Sequence, residues 1–170
     1  SLAFGDDLDH EEWAEMYKKL VFWDLEIDNT EDQSMAEVLA MQHQEGNSNF
    51  ARFVDDNYEA WINEESDERP LLSHKLMQKQ VFPLMGDLRV FFIVIDNLRF
   101  DQWKLLEPEV LKHFNIEQEE SYYSILPTTT AYARNAIFSG LLPDEMAGKH
   151  PDLWVNEDQD VRKTMRRLFE

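Results

Sequence analysis

The sequence predicts an α/β chain. A small acidic helical bundle over residues 1–85 precedes the first strand–helix–strand–helix portion of a doubly wound sheet over residues 86–170. Three observations predict it. Apolar residues recur at helical spacing through the first half. The run "VFFIVID" is continuously apolar before its final aspartate, the mark of a strand covered on both faces. Beyond it, stretches of helical and strand character alternate, as in parallel sheets.

The elements follow in order. "LDHEEWAEMYKKLVFWDLEI" places Leu8, Trp13, Met16, Leu20, Trp23 and Ile27 close to one helical stripe. Asp9 is its expected N-cap, with acidic residues behind it that suit the positive helix end. A second helix is expected to start at Thr30, with Gln33 in capping-box spacing, and to break at Gly46–Asn47. A third carries Phe50, Phe53, Val54, Tyr58, Trp61 and Ile62, and a fourth starts near Ser73 and ends before Pro83. In the second half, "DLRVFFIVID" reads as a strand and "QWKLLEPEVLKHF" as a helix interrupted around Pro108. "YYSILP" reads as a second strand, and "TTAYARNAIFSG" as a helix stopped by Gly140. "DQDVRKTMRRLFE" begins a further helix.

Composition narrows the functional classes. A net charge of −19 argues against a surface that coats nucleic acid, while leaving room for one cationic phosphate site. The absence of cysteine excludes disulfides and thiolate metal sites. No apolar run approaches the roughly 20 residues that span a bilayer, and no signal peptide is visible. The expectation is a cytoplasmic protein without membrane insertion. The five histidines form no metal-ligand cluster. The sequence has no glycine-rich phosphate loop and no serine nucleophile elbow.

Two strand ends carry the chemistry. The first delivers Asp96, the second Pro127 and Thr128–Thr130. Ligands of open α/β sheets bind outside such ends. A carboxylate holds a divalent cation through hard oxygen. A hydroxyl at a helix start is activated by such a cation, and the helix N–H groups hold phosphate oxygens. The plainer readings are a loop-capping Asp96 and a threonine that merely caps its helix; on pattern alone the capping role carries more weight. Arg99 and Asp101 fit a local ion pair on a solvated turn. Arg134 and Asn135 read as helix surface, with Arg134 one turn after Thr130 and able to meet an anion.

"IVIDNLRFDQW" followed by "ILPTTTAYARNAIFSGLLP" resembles the start of a PglZ domain, a branch of the alkaline phosphatase superfamily. The Asp-x-x-Arg-x-Asp pattern falls on Asp96, Arg99 and Asp101, and the closing Gly-x-x-Pro on Gly140 and Pro143. With the acidic helical segment, the chain resembles the PglZ-containing response regulators of Bacteroidetes linked to type IX secretion. The resemblance implies an alkaline-phosphatase-like sheet and a zinc-dependent phosphodiesterase acting on linear or cyclic oligonucleotides. It implies Asp96 as a zinc ligand, and Thr130 as nucleophile and zinc ligand, with Thr129 as the fallback. Arg134 and Asn135 would meet substrate. It also implies a receiver domain phosphorylated by a cognate sensor kinase, and a homodimer.

The family completes two zinc sites with later Asp and His residues. After Gly140 this sequence offers Asp144, Asp152, Asp158, Asp160 and only His150, in no such arrangement. The expectation is therefore a truncated domain, catalytically inactive by itself and weak in zinc binding. The alternative is a non-catalytic signalling or interaction module on a degenerate phosphatase-like scaffold.

Overall fold

The computed structural model describes residues 8–28, 33–64, 66, 68–86 and 89–154. The chain divides into two compact units. One comprises Ser1–Pro70 with Val94–Glu120, and the other Leu71–Ile93 with Ser121–Glu170.

The first unit is built on two helices, α1 (His10–Asp28) and α2 (Gln33–Asn63). Asp9 caps α1 as its position predicts. Its Oδ1 accepts from the Glu11 and Glu12 N–H groups at 2.9 and 2.8 Å, and its own N–H donates to Glu12 Oε2 at 2.9 Å. Asp9→Ala is expected to cost about 1 kcal/mol of helix stability. A chemical-denaturation midpoint that does not move would contradict this.

Trp13, Met16, Leu20 and Val21 form the buried stripe of α1. Trp13 meets Phe50 at 5.4 Å and Phe53 at 5.9 Å between ring centroids, and Phe53 in turn meets Trp61 at 5.4 Å. Near the other end of α1, Asp24 Oδ1 lies 2.9 Å from His43 Nε2. The contacts run in opposite order along the two helices, so α1 and α2 are antiparallel. Trp23, expected on the inner stripe, is instead exposed and packs its ring on Phe22 at 5.4 Å.

The expected break at Gly46–Asn47 does not occur: α2 runs through it, with Gly46 buried. An interior glycine costs about 1 kcal/mol of helix propensity. Packing of the aromatic side chains that follow, Phe50 and Phe53 on Trp13, offsets that cost. Thr30 lies outside the described residues. The C-terminus of α2 has no basic residue of its own. Arg69 supplies the cation by donating through Nη1 to the Trp61 and Glu64 carbonyls at 3.1 and 2.8 Å.

Helix α3 (Phe100–Val110) packs on α1, with Phe100 and Tyr17 rings 6.1 Å apart. It passes through Pro108 without ending. Pro108 sits in the last turn, so only one intrahelical bond, to the Lys104 carbonyl, is forgone. Lys104 Nζ bridges Glu107 at 3.0 Å and Glu119 at 2.8 Å and lies 5.1 Å from the centroid of the Phe100 ring.

In the second unit, residues 73–84 form successive 3-10, π and 3-10 turns where one regular helix is expected. Two further helices follow, α4 (Thr130–Ser139) and α5 (Pro143–Lys149). The core holds Leu72, Val81, Ile125, Ala136, Ile137 and Met146. Gly140 ends α4 at φ 69°, the left-handed conformation its position demands. The helix expected from Asp158 onward lies outside the described residues.

The structure overturns the α/β expectation. Among the described residues there is no strand and no sheet, and helices dominate. Of the two expected strands, Tyr123 makes one isolated parallel bridge, to Leu72. Residues 91–95 are unpaired, with Phe91 86% and Ile93 78% exposed. The physical reason is that a helix satisfies its hydrogen bonds within itself, whereas a strand has none until a neighbour supplies them. A continuous apolar run reports a need for cover on both faces; it does not supply the cover.

Candidate functional site

Asp96 stands at the end of the exposed extended segment, in a turn whose next residue, Asn97, has φ 65°. Asparagine is among the few residues that take this left-handed conformation readily. The turn reverses the chain into α3. Arg99 then donates to both oxygens of Asp101 along one guanidinium edge, Nε to Oδ1 at 2.9 Å and Nη2 to Oδ2 at 2.6 Å. The local ion pair expected at this turn is therefore present. The Arg99 hydrogen bond holds the Asp101 carboxyl below the usual carboxylate range, and Asp101 raises Arg99. Because the Asp101 pKa is lowered on folding, what the pair contributes is present at neutral pH. It is lost as pH falls through the folded Asp101 pKa. A carboxyl NMR titration of Asp101 should give a midpoint below that of an unstructured aspartate.

Thr128, Thr129 and Thr130 are all exposed. They follow a cis Leu126–Pro127 bond. Thr129 takes the N-cap position, with extended φ −66° and ψ 149°, and its carbonyl accepts the Tyr132 and Ala133 N–H groups at 3.0 and 2.9 Å. Its side chain makes no capping bond. Thr130 is the first helical residue. The cap position and the threonine favoured as nucleophile are thus different residues, a distinction the run of three could not make.

Arg134 lies one turn after Thr130 on α4, where i and i+4 side chains are neighbours, and is half-buried. Asn135 is buried, and its Nδ2 donates to the Ala131 carbonyl at 2.7 Å. That bond commits one amide proton to the helix itself.

Asp96 belongs to the first unit, and Thr130, Arg134 and Asn135 to the second. Among the described residues no group of three or more His, Asp or Glu side chains gathers as a metal site. An aspartate and an alcohol are suitable oxygen donors, but two of them are too few for a pair of zinc ions. The described donor set does not fit a two-zinc centre.

The surroundings of α4 include a residue whose part sequence reasoning missed. Ser73, read only as a helix start, is fully buried and accepts the Ile125 N–H through Oγ at 3.1 Å. A lone serine between apolar residues and a helical stretch carries no pattern that announces such a role. Glu145 Oε2 accepts the Leu142 N–H at 3.0 Å and starts α5; this bond, then Lys149, lowers the Glu145 pKa.

No helix among the described residues is long and apolar enough to cross a membrane. Comparison with protein families gives two matches. Residues 1–62 match the PorX response regulator linker domain. Residues 76–167 match the BREX system PglZ alkaline phosphatase-like domain. No curated protein matches the chain. The second match spans more than half of the sequence and contains the threonine turn, α4 and its Gly140 stop, as well as Asp96. The chain belongs to the PglZ alkaline phosphatase-like family, joined in this sequence to a PorX-type linker domain.

Proposed function

We propose that this chain carries the linker and the nucleophile-bearing part of a cytoplasmic response regulator whose PglZ domain is a phosphodiesterase. Its substrates are linear or cyclic oligonucleotides, and its activity is tied to regulation of type IX secretion. The observation that carries the reading is the exposed threonine turn at the N-terminus of α4, inside a span matched to an alkaline phosphatase-like family. The receiver, its sensor kinase and a homodimeric state are parts of the same proposal.

The roles follow from the chemistry of these side chains. Thr130 Oγ attacks phosphorus in line with the leaving oxygen; the P–O bond to that oxygen breaks, the Thr130 proton ends on the departing alcohol, and the rest of the substrate stays joined to Thr130 as a phosphodiester that water then hydrolyses. The N–H groups of the first turn of α4 stabilise the equatorial oxygens. Arg134 and Asn135 contact the substrate's phosphate or sugar. Zinc is the proposed cofactor, with Asp96 and Thr130 among its ligands and the remaining ligands outside this sequence.

This chain alone is accordingly expected to turn over no phosphodiester and to retain less than one zinc after dialysis, by elemental analysis. The complete protein should bind zinc and lose it on Asp96→Ala. A metal-free complete protein that still signals would favour a non-catalytic module. Turnover of a chromogenic phosphodiester by the complete protein, and its loss in Thr130→Val, tests the nucleophile directly.

A further inference from the structure

The two family matches part the chain between residues 62 and 76, yet the compact units do not follow that line. Residues 94–120, which include Asp96 and α3, lie inside the PglZ match but fold with residues 1–70. Helix α1, inside the linker match, packs directly on α3. The stretch that follows Asp96 is thus built on the linker.

This contact has a defined centre. Phe100 is the first residue of α3, and three residues separate it from Asp96. Its ring centroid lies 6.1 Å from that of Tyr17 on α1, and the Lys104 ammonium stands over it at 5.1 Å. Paired aromatic rings and a cation over a ring face both attract beyond the area they bury. The entry to α3 is closed around the same point. The Arg99 N–H donates to Gln102 Oε1 at 3.1 Å, the Arg99 carbonyl accepts the Trp103 N–H at 3.0 Å, and the Arg99 guanidinium holds Asp101. Tyr17 stands close enough for burial, and then the Asp101 charge, to raise its pKa above the ordinary phenol value. Lys18, the next residue of α1, adds to the pull of Lys104 and Trp103 that holds the Glu119 carboxyl below the usual carboxylate range.

We propose that Tyr17 is a positioning residue through which the linker helix α1 sets the turn from Asp96 to Phe100. It acts through the Phe100 ring and touches no substrate. This deepens the functional reading above and rests on Asp96 standing at the reaction centre. With only three residues between Asp96 and Phe100, a shift of the ring reaches the turn with little slack. Tyr17 is not part of the buried stripe of α1 and is 51% exposed, so replacing it leaves the Trp13 core in place.

The test uses the complete protein, with amide hydrogen exchange and chromogenic phosphodiester turnover measured in parallel. In Tyr17→Ala, exchange over residues 100–110 should rise roughly 10- to 100-fold, while residues 13–20 and 50–61 stay as protected as in the unsubstituted protein. The kcat should fall about tenfold or more with KM unchanged, because Asp96 is displaced while Arg134 and Asn135 are not. Tyr17→Phe keeps the ring and removes only the hydroxyl, so both measurements should return to those of the unsubstituted protein. Phe100→Leu removes the other ring of the pair and should reproduce Tyr17→Ala. Combining the two should add little to either alone. Phe100→Leu also carries the test if Tyr17→Ala does not fold.

Unchanged exchange over residues 100–110 in Tyr17→Ala overturns the proposal. So does raised exchange with kcat intact while Asp96→Ala is inactive, since the ring contact then serves packing alone. Full turnover by Asp96→Ala overturns it from the other side: it removes the role of Asp96 on which the positioning rests, whatever the exchange shows.

Discussion

Replacing Thr130 with valine in the complete protein is expected to lower kcat on a phosphodiester by about ten-thousand- to a million-fold, the loss seen when a covalent nucleophile is removed. Valine keeps the branched shape and removes only the oxygen. The structure makes the substitution easy to interpret. Thr130 is exposed at the first position of α4, and Thr129 holds the cap position. Folding stability should therefore change by no more than about 0.5 kcal/mol. Thr129→Val is the paired control. If Thr129→Val abolishes turnover while Thr130→Val keeps it, the nucleophile is the neighbouring threonine. If both variants stay active, the phosphodiesterase reading of this turn is lost. Mass spectrometry of acid-quenched protein should find the phosphoryl group, still esterified to the retained alcohol of the substrate, on a peptide containing Thr130, and none in the valine variant.

Trp13→Ala should be the most destabilising single change in the helical unit, at about 3–5 kcal/mol. Trp13 is buried in α1, and its ring meets both Phe50 and Phe53 of α2. Truncation leaves a large cavity between helices whose individual propensity is modest. The loss has a specific place to appear. Gly46 and Asn47 sit just before Phe50, and the continuity of α2 there depends on packing rather than propensity. Hydrogen exchange over residues 44–50 should rise more than over the Arg69-capped end of α2. A thermal or urea midpoint close to that of the unsubstituted chain would show that the α1–α2 pairing does not rest on this ring.

The residues differ in how far they announced their roles. The Asp9 cap, the Arg99–Asp101 pair and the Gly140 stop were legible because each is decided within a few residues of chain. A short acidic side chain before a helix, opposite charges two residues apart and a glycine after a helix have few competing outcomes. The expected break at Gly46 failed for the opposite reason. Its outcome depends on aromatic contacts between helices, which local propensity does not contain. The expected strands failed likewise, since a strand exists only through its partner, and the apolar run 90–95 names no partner. At the candidate site, the placement of Asp96 in a turn before a helix and of the threonines at a helix start was legible from residue type and order. Which threonine caps and which leads the helix was not, because three identical neighbours differ only in backbone conformation.

By itself the sequence determined α1 with its Asp9 cap, α4 with its Gly140 stop, the acidic composition and the Arg99–Asp101 pair. These depend on hydrogen bonds and periodicities contained within one stretch of chain. Only the tertiary structure decided that α2 is one helix and that Thr129 rather than Thr130 sits at the cap. It alone showed that Ser73 holds Ile125 from 52 residues away. Each of these is a contact between segments whose meeting no local pattern encodes, and closing such long loops is an entropic cost that only the assembled core can offset.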